Sequence, residues 1–159
     1  MSEYRAQISW RRQPEEPFVD SRYSRAHCWS FDGGVTVPAS SAVSSVPLPY
    51  SKPDHVDPEE ALVAAISSCH MLTFLHFAAG AGLVVDSYND SAVGTMATDS
   101  RGRKSVVTTV LAPMIEFSGA KRPTDDVVQR LHHQAHEECY IANSVRTQIS
   151  VAGNWSFRG

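Results

Sequence analysis

Hydrophobic and polar residues alternate along the first part of the chain, as they do in β-strands. The run at residues 4–10 places every second residue, two of them aromatic, on one side. A second run, at residues 21–31, leads into Asp-Gly-Gly at 32–34, which is a strong hairpin signal. The returning strand at residues 35–37 is limited by Pro38. The pattern therefore predicts three β-strands before the first helix.

The longest stretch without charged residues, 61–85, follows the helix start Asp57-Pro58-Glu59-Glu60. Aspartate suits the N-cap, and proline suits the first helical position. The stretch is long enough to span a membrane. Polar residues interrupt it, its flanks are acidic, and glycines at 80 and 82 end the helix. Because this helix is apolar on nearly all sides, we predict that it is central and buried and that it contacts no membrane.

The second half of the chain alternates strand patterns with one amphipathic helix. Two long strands are expected at residues 84–96 and 105–117, joined by a polar hairpin. A second helix starts at residues 123–126 and ends near Cys139, and a last strand follows at residues 145–151. The order βββ-α-ββ-α-β with antiparallel neighbours predicts the α+β class. A length of 159 residues predicts a single domain, 1–159.

Charge and cysteine content exclude several classes of protein. The formal net charge is −3, whereas a nucleic-acid-binding protein usually has a basic balance. Three cysteines are too few for a secreted disulfide scaffold. The first residues are charged and lack an apolar region, so no signal peptide is predicted. We therefore expect a cytoplasmic protein with reduced thiols and no nucleic-acid partner.

The three cysteines allow different interpretations. Cys69 lies mid-helix and is either a small core residue or a nucleophile. A free thiol is only about 3% ionised at pH 7, and the helix dipole has faded at this position, so a reactive Cys69 needs a cation, preferably arginine. Cys139, at the end of the second helix, is either a resolving thiol or incidental. Cys28, beside Trp29, is interpreted as structural.

Histidines on the second helix suggest a weaker alternative, a zinc site. His132, His136 and Cys139 can share one helix face, and all three residue types bind zinc. An amphipathic helix with histidines on its polar side explains the pattern equally well, and we predict no metal. His70 and His76, on the first helix, are expected to be hydrogen-bonded core residues.

Three motifs together resemble a known family. Residues 57–71, with Cys69 ten positions after Glu59, resemble the hallmark helix of the osmotically inducible protein C and organic hydroperoxide resistance (OsmC/Ohr) superfamily. Residues 135–144 resemble its second cysteine motif, and Arg25 resembles its N-terminal arginine. The Cys-His-Met sequence is more similar to the OsmC-like branch. The chain departs from the pattern at Tyr140, where many members have proline, and at Asp57, where asparagine is common.

The resemblance implies a thiol-dependent peroxidase that reduces organic hydroperoxides without any cofactor. Cys69 would be the peroxidatic cysteine and Cys139 the resolving one. Arg25 would favour the Cys69 thiolate and the leaving alkoxide, and Glu59 would hold the arginine; Arg22 competes with Arg25 for this role. The reductant would be an external dithiol, such as the dihydrolipoyl groups that reduce some relatives. The expected apolar walls are Leu62, Ile66, Leu72 and Phe74.

The distance between Glu59 and Cys69 along the first helix predicts how the chain assembles. Ten residues of one helix separate Glu59 from Cys69 by about 15 Å, which a single arginine can hardly bridge. Relatives of this kind are intertwined homodimers, so we expect Cys69 and Cys139 of one chain to meet Arg25 and Glu59 of the other. The alternative function is a non-catalytic protein that binds a small apolar ligand on the same fold with unreactive cysteines.

Overall fold

The computed structural model describes all residues, 1–159, and the chain forms two compact units, residues 1–61 and 62–159. The first unit contains three strands and the start of the first helix; the second contains the rest of that helix, six strands and a second helix. The mixture is α+β, as predicted, and the single domain 1–159 stays a prediction. The elements are β1 Ala6–Ser9, β2 His27–Phe31, β3 Thr36–Ala39, α1 Pro58–Gly80, β4 Val84–Asp90, β5 Val93–Thr98, β6 Lys104–Leu111, β7 Pro113–Ser118, α2 Asp125–Glu138, β8 Gln148–Val151 and β9 Asn154–Arg158.

The three strands of the first unit form one antiparallel sheet in the order β1-β2-β3. The predicted hairpin at residues 32–34 is confirmed, and Gly34 has the positive φ of 82° that such a turn requires. β2 begins only at His27, so the predicted start at residue 21 is wrong. Pro38 lies inside β3, contrary to expectation. This is possible because β3 is an edge strand, where a missing N–H costs little.

Each long strand predicted in the second unit is divided in two. β4 pairs with β7 in one sheet, and β5 pairs with β6 in another. The break lies at Asp90, whose Oδ1 accepts the N–H of Ala112 at 2.7 Å, in place of a strand partner. Pro113 follows and has no N–H to donate to a ladder. The chain therefore passes from the sheet of β4 and β7 to the sheet of β5 and β6 after Asp90, and it returns to the first sheet at Pro113.

The predicted last strand, residues 145–151, is shorter than expected and is followed by another strand. β8 pairs in parallel with β6, and β9 pairs in parallel with β7, so each sheet of this unit is mixed and not only antiparallel as expected. Parallel pairing is possible because the long connection through α2 returns the chain in the same direction. Between β8 and β9, a Cβ on Gly153 would lie 2.3 Å from the carbonyl oxygen of Pro113, so only glycine fits.

The first helix starts as predicted, with a capping box. The Oδ1 of Asp57 accepts the N–H of Glu60, and the Glu60 carboxylate accepts the N–H of Asp57. The helix runs without interruption to Gly80. By length and composition alone α1 could cross a membrane, a test that core helices of soluble proteins also pass.

The prediction of a fully buried α1 is wrong for the single chain. Only one stripe of α1 is buried, at intervals of four residues: Ile66, His70, Phe74 and Ala78. The other sides are apolar but partly or fully exposed, and Leu72 is 61% exposed. An apolar helix with one buried stripe leaves a face that water solvates poorly.

The core of the second unit lies between α1, α2 and the β4-β7-β9 sheet. Thr124 caps α2, since its side chain accepts the N–H of Val127, and this cap lies within the start predicted at residues 123–126. Val128, Leu131 and Ala135 are buried, which confirms the predicted apolar stripe. They pack with Phe74 and Phe117, both fully buried. This packing fixes α1 beside α2, the two helices that carry Cys69 and Cys139.

Candidate active site

Cys69 and Cys139 are 70 positions apart in the sequence, yet their thiols are neighbours in the fold. Cys69 lies in the middle of α1 and is partly buried, whereas Cys139 is the C-cap of α2 and is 1% exposed. All three cysteines of the chain are free thiols. The packing of the two helices thus brings together the two cysteines that the sequence singled out.

The surroundings of Cys139 keep its thiol protonated. Burial, and then contact with the Cys69 thiol, raise the pKa of Cys139 above its ordinary value. The Cys139 Sγ accepts the N–H of Ala142 at 3.3 Å, which opposes this effect weakly. A buried thiol that retains its proton can donate a hydrogen bond to its neighbour. The neighbour in reach of this proton is the Cys69 sulfur.

A pair of buried imidazoles lies between the same two helices. His70 Nε2 and His132 Nδ1 are 3.0 Å apart, and the two rings are nearly parallel. Burial lowers the pKa of His70 to about 4, with a further contribution from His132 and His136. Burial likewise lowers the pKa of His132 to about 4, although Asp90 opposes the shift. Both rings are therefore neutral at pH 7. The expectation of a bonded core histidine is confirmed for His70 and wrong for His76, which is exposed.

A buried polar cluster that the sequence did not predict adjoins this pair. Asp90 Oδ2 accepts a short hydrogen bond of 2.5 Å from the Ser67 hydroxyl, while its Oδ1 holds the Ala112 N–H. The Tyr88 hydroxyl is buried without any hydrogen-bond partner. Burial, reinforced by the charge of Asp90, raises the pKa of Tyr88. Only a lone acid in the middle of the strand expected at residues 84–96 could have signalled this cluster.

The residues of the zinc alternative are not arranged as a metal site. No group of three or more His, Cys, Asp or Glu side chains lies close enough to hold a metal ion. His132 faces His70, while His136 is exposed and Cys139 is buried. Cys28 lies on β2, where its thiol contacts the carbonyl oxygen of Trp29 at 3.4 Å.

The two candidate arginines of the first unit differ in their partners. Arg22 forms an ion pair with Asp20 at 2.6 Å and is exposed. Arg25 is partly buried and forms no ion pair; its Nη1 donates to the carbonyl oxygens of Ser21 and Tyr23. The charge of Arg25 is thus held by neutral groups and remains available to an anion, whereas that of Arg22 is already neutralised.

Glu59 also lacks a partner in the first unit. It is partly buried and takes part in no hydrogen bond or ion pair, unlike its neighbour Glu60 in the capping box. The expected ion pair between Glu59 and Arg25 is therefore not formed within the chain. Neither side chain therefore has a charged partner in the single chain.

The four residues expected to form apolar walls do not lie on one side of α1. Ile66 and Phe74 belong to the buried stripe, where Phe74 packs against His132 and Tyr88. Leu72 is exposed on another side of the helix. Within one chain the expected apolar residues therefore lie partly in the core and partly at the surface.

Comparison with known proteins identifies the family. Residues 51–153, which include both cysteine motifs, match the sequence profile of OsmC-like proteins. The chain belongs to the OsmC-like protein family. No protein with a curated description matches it. An OsmC-like protein of unknown function from Vibrio cholerae is 49% identical, with a TM-score of 0.94 over 97% of this chain and 100% of that one.

More distant members share the fold. An organic hydroperoxide resistance protein from Elizabethkingia anophelis is 16% identical, with a TM-score of 0.67 over 99% of this chain and 98% of that chain. The organic hydroperoxide resistance protein OhrB of Bacillus subtilis is 16% identical, with a TM-score of 0.61 over 98% of each chain. At this identity the likeness is one of fold, and the chemistry of this OsmC-like chain depends on its own residues.

Proposed function

We propose that this OsmC-like protein reduces organic hydroperoxides with Cys69 as the attacking thiolate and Cys139 as the resolving thiol. The observation that carries the proposal is the contact between these two free thiols, which come from different helices. The two cysteines do not form a structural disulfide. Two free thiols within reach of each other can form and break a disulfide reversibly, which is what a two-electron redox cycle needs.

The cycle divides the chemistry between the two sulfurs. The Cys69 thiolate attacks the distal oxygen of the hydroperoxide, the O–O bond breaks, and the alkoxide leaves and takes up a proton. Cys69 is then a sulfenic acid. The Cys139 thiol condenses with it, forming a disulfide and releasing water. An external dithiol reduces this disulfide by exchange and becomes oxidised itself.

The position of Cys139 favours the resolving role. It is the C-cap of α2, with extended backbone angles, and the residues after it leave the helix. A cysteine at an element end can shift by the small distance that S–S bond formation demands. Cys69, fixed in the middle of α1, cannot shift in the same way.

Arg25 is the cation that we assign to the site. An arginine without an acidic partner can stabilise the thiolate before attack and the alkoxide during O–O cleavage. Glu59, which also has no partner, would orient the guanidinium when the site is complete. Arg22 is less suitable because Asp20 already neutralises it.

The complete site would need two copies of the chain. Glu59 and Cys69 lie on one uninterrupted helix, where ten residues correspond to about 15 Å. The exposed apolar sides of α1 also favour a helix partner. We therefore propose a homodimer in which Cys69 and Cys139 of one chain meet Arg25 and Glu59 of the other. A reducing cytoplasm would keep its thiols ready.

A peroxide panel tests the activity. Cumene, tert-butyl, fatty-acid and hydrogen peroxides are supplied with dithiothreitol or dihydrolipoamide as donor. Cys69→Ser should abolish turnover, because serine forms no reducible sulfenate. Cys139→Ser should consume about one equivalent and then stall. Cys28→Ser is the matched control and should keep wild-type turnover. A wild type that reduces no peroxide and resists alkylation near pH 6 would instead favour a binder of apolar ligands.

Complementation between two inactive variants tests the shared site. Cys69→Ser and Arg25→Ala are co-expressed with different tags, and the heterodimer is isolated. If each site uses both chains, one site collects both defects and the other is intact, so about half of the wild-type activity returns. If each site lies within one chain, every site keeps a defect and no activity returns.

A further inference from the structure

Three aromatic rings of the first unit form a cluster, Trp10, Phe18 and Tyr23, which we call the aromatic cluster. Phe18 stacks on Tyr23 with ring centroids 4.7 Å apart and an angle of 26°. Trp10 meets Tyr23 edge-on at 5.4 Å. The cluster is only half covered, because Trp10 is 41% and Phe18 52% exposed. A group of aromatic rings at the protein surface usually has a functional role.

Arg25 lies directly against this cluster. Its Cζ is 3.8 Å from the centroid of the Tyr23 ring, which is the geometry of a cation–π contact. Phe18 stacks on the same ring, so the tyrosine is held between an aromatic ring and a guanidinium. Together with the carbonyl oxygens of Ser21 and Tyr23, the ring fixes the guanidinium without neutralising its charge.

The aromatic cluster is itself anchored to the backbone that carries Arg25. The Trp10 indole N–H donates to the carbonyl oxygen of Ser24 at 2.8 Å. The Ser24 N–H in turn donates to the Glu16 carboxylate at 3.1 Å. The Arg25 N–H donates to the carbonyl oxygen of Tyr50 at 2.7 Å. The segment preceding β2 has no strand pairing of its own, so these contacts define its conformation.

From this geometry we infer that Tyr23 is a positioning residue for Arg25, holding the guanidinium ready for the Cys69 thiolate and the departing alkoxide. The inference rests on the proposed function and deepens it. A side chain as long as arginine loses much conformational freedom when it is fixed. Because the Tyr23 ring already holds the guanidinium before the reaction, less conformational entropy is lost when the guanidinium stabilises the thiolate and the alkoxide, as with other preorganised groups.

The ring, and not the hydroxyl, carries this role. The cation–π contact needs an aromatic face, which phenylalanine keeps and leucine lacks. Tyr23→Leu should therefore lower peroxide turnover about five-fold, the effect of one such contact. Tyr23→Phe should remain near wild type. Tyr4→Leu makes the same chemical change at a ring that is 90% exposed, and should leave turnover unchanged.

A second measurement separates positioning from a loss of structure. The rate of Cys69 alkylation is followed against pH. In Tyr23→Leu the midpoint of this profile should move to higher pH, because the thiolate loses part of its cation. In the background of Arg25→Ala, adding Tyr23→Leu should not move the alkylation midpoint further, since both variants act through the same group.

The outcomes distinguish this inference from the proposed function. If wild type reduces no hydroperoxide, the proposed function fails. If wild type is active and Tyr23→Leu matches it in turnover and in the alkylation profile, the positioning role of Tyr23 is refuted. It is refuted equally if Tyr23→Phe is as impaired as Tyr23→Leu, or if the shift of the alkylation midpoint in Tyr23→Leu adds to that in Arg25→Ala.

Discussion

Acidification should destabilise the fold through the buried pair of His70 and His132. In the folded chain the pKa of each imidazole lies at about 4, below its ordinary 6.5, because burial disfavours the charged ring. The unfolded chain therefore binds protons first as the pH falls. The stabilisation is complete above pH 6.5, falls between pH 6.5 and about 4, and is lost below that.

The size of the effect follows from the same pKa values. For one fully buried ring, a fall of the pKa from 6.5 to about 4 corresponds to about 3 kcal/mol of unfolding free energy. His132 is only partly buried, and a proton on one ring repels a second on the other. We therefore expect protonation of the pair to lower the free energy of unfolding by about 3 kcal/mol in total across this pH range.

Urea unfolding at several pH values, followed by tryptophan fluorescence, measures this loss. Carboxylates also titrate near pH 4, so the double variant His70→Leu/His132→Phe provides the reference. Replacing both partners of a buried hydrogen bond by apolar groups can be nearly neutral at pH 7. On acidification, the free energy of unfolding of the double variant should fall by about 3 kcal/mol less than that of the wild type. His76→Leu, which changes an exposed histidine, should follow the wild type. Equal pH dependence in wild type and the double variant would refute the reasoning.

Two further predictions concern buried positions, and urea midpoints measure both. Tyr88→Phe should stabilise the protein by about 1 kcal/mol, because it removes a buried hydroxyl without a hydrogen-bond partner; a clear loss of stability would contradict this. Gly153→Ala should cost about 2 kcal/mol or more, because its Cβ would collide with the carbonyl oxygen of Pro113. An unchanged midpoint in Gly153→Ala would show that the backbone yields there.

Local signals in the sequence predicted much of the fold. The N-cap at Asp57, the apolar stripe of α2 and the glycines after Asp32 each act over a few residues, and the structure has all three features. The resemblance also led to the family. These features depend on neighbouring residues along the chain, which a sequence displays directly.

The division of the long strands could not be predicted in this way. It depends on Asp90 accepting the Ala112 N–H, a contact between residues 22 positions apart. The parallel pairing of β8 with β6 and of β9 with β7 likewise depends on the path that the chain takes through α2. Alternation of side chains is the same in parallel and antiparallel strands, so it cannot reveal the pairing direction.

The candidate site shows the same limit. The motifs picked out Cys69 and Cys139, but neither their contact nor the pairing of His70 with His132 follows from spacing. Helical spacing alone suggested zinc as readily as an amphipathic helix with histidines on its polar side. Only the packing of α2 against α1 decides which face of each helix meets the other.

The most direct test of the central claim is the fate of the two thiols after one equivalent of cumene hydroperoxide. The reduced protein is mixed with the peroxide, the remaining thiols are blocked, and the peptides are mapped by mass spectrometry. We predict one equivalent of cumyl alcohol and a single disulfide between Cys69 and Cys139, with Cys28 still free. A disulfide that includes Cys28, or consumption of peroxide with Cys69 still a free thiol, would contradict the account.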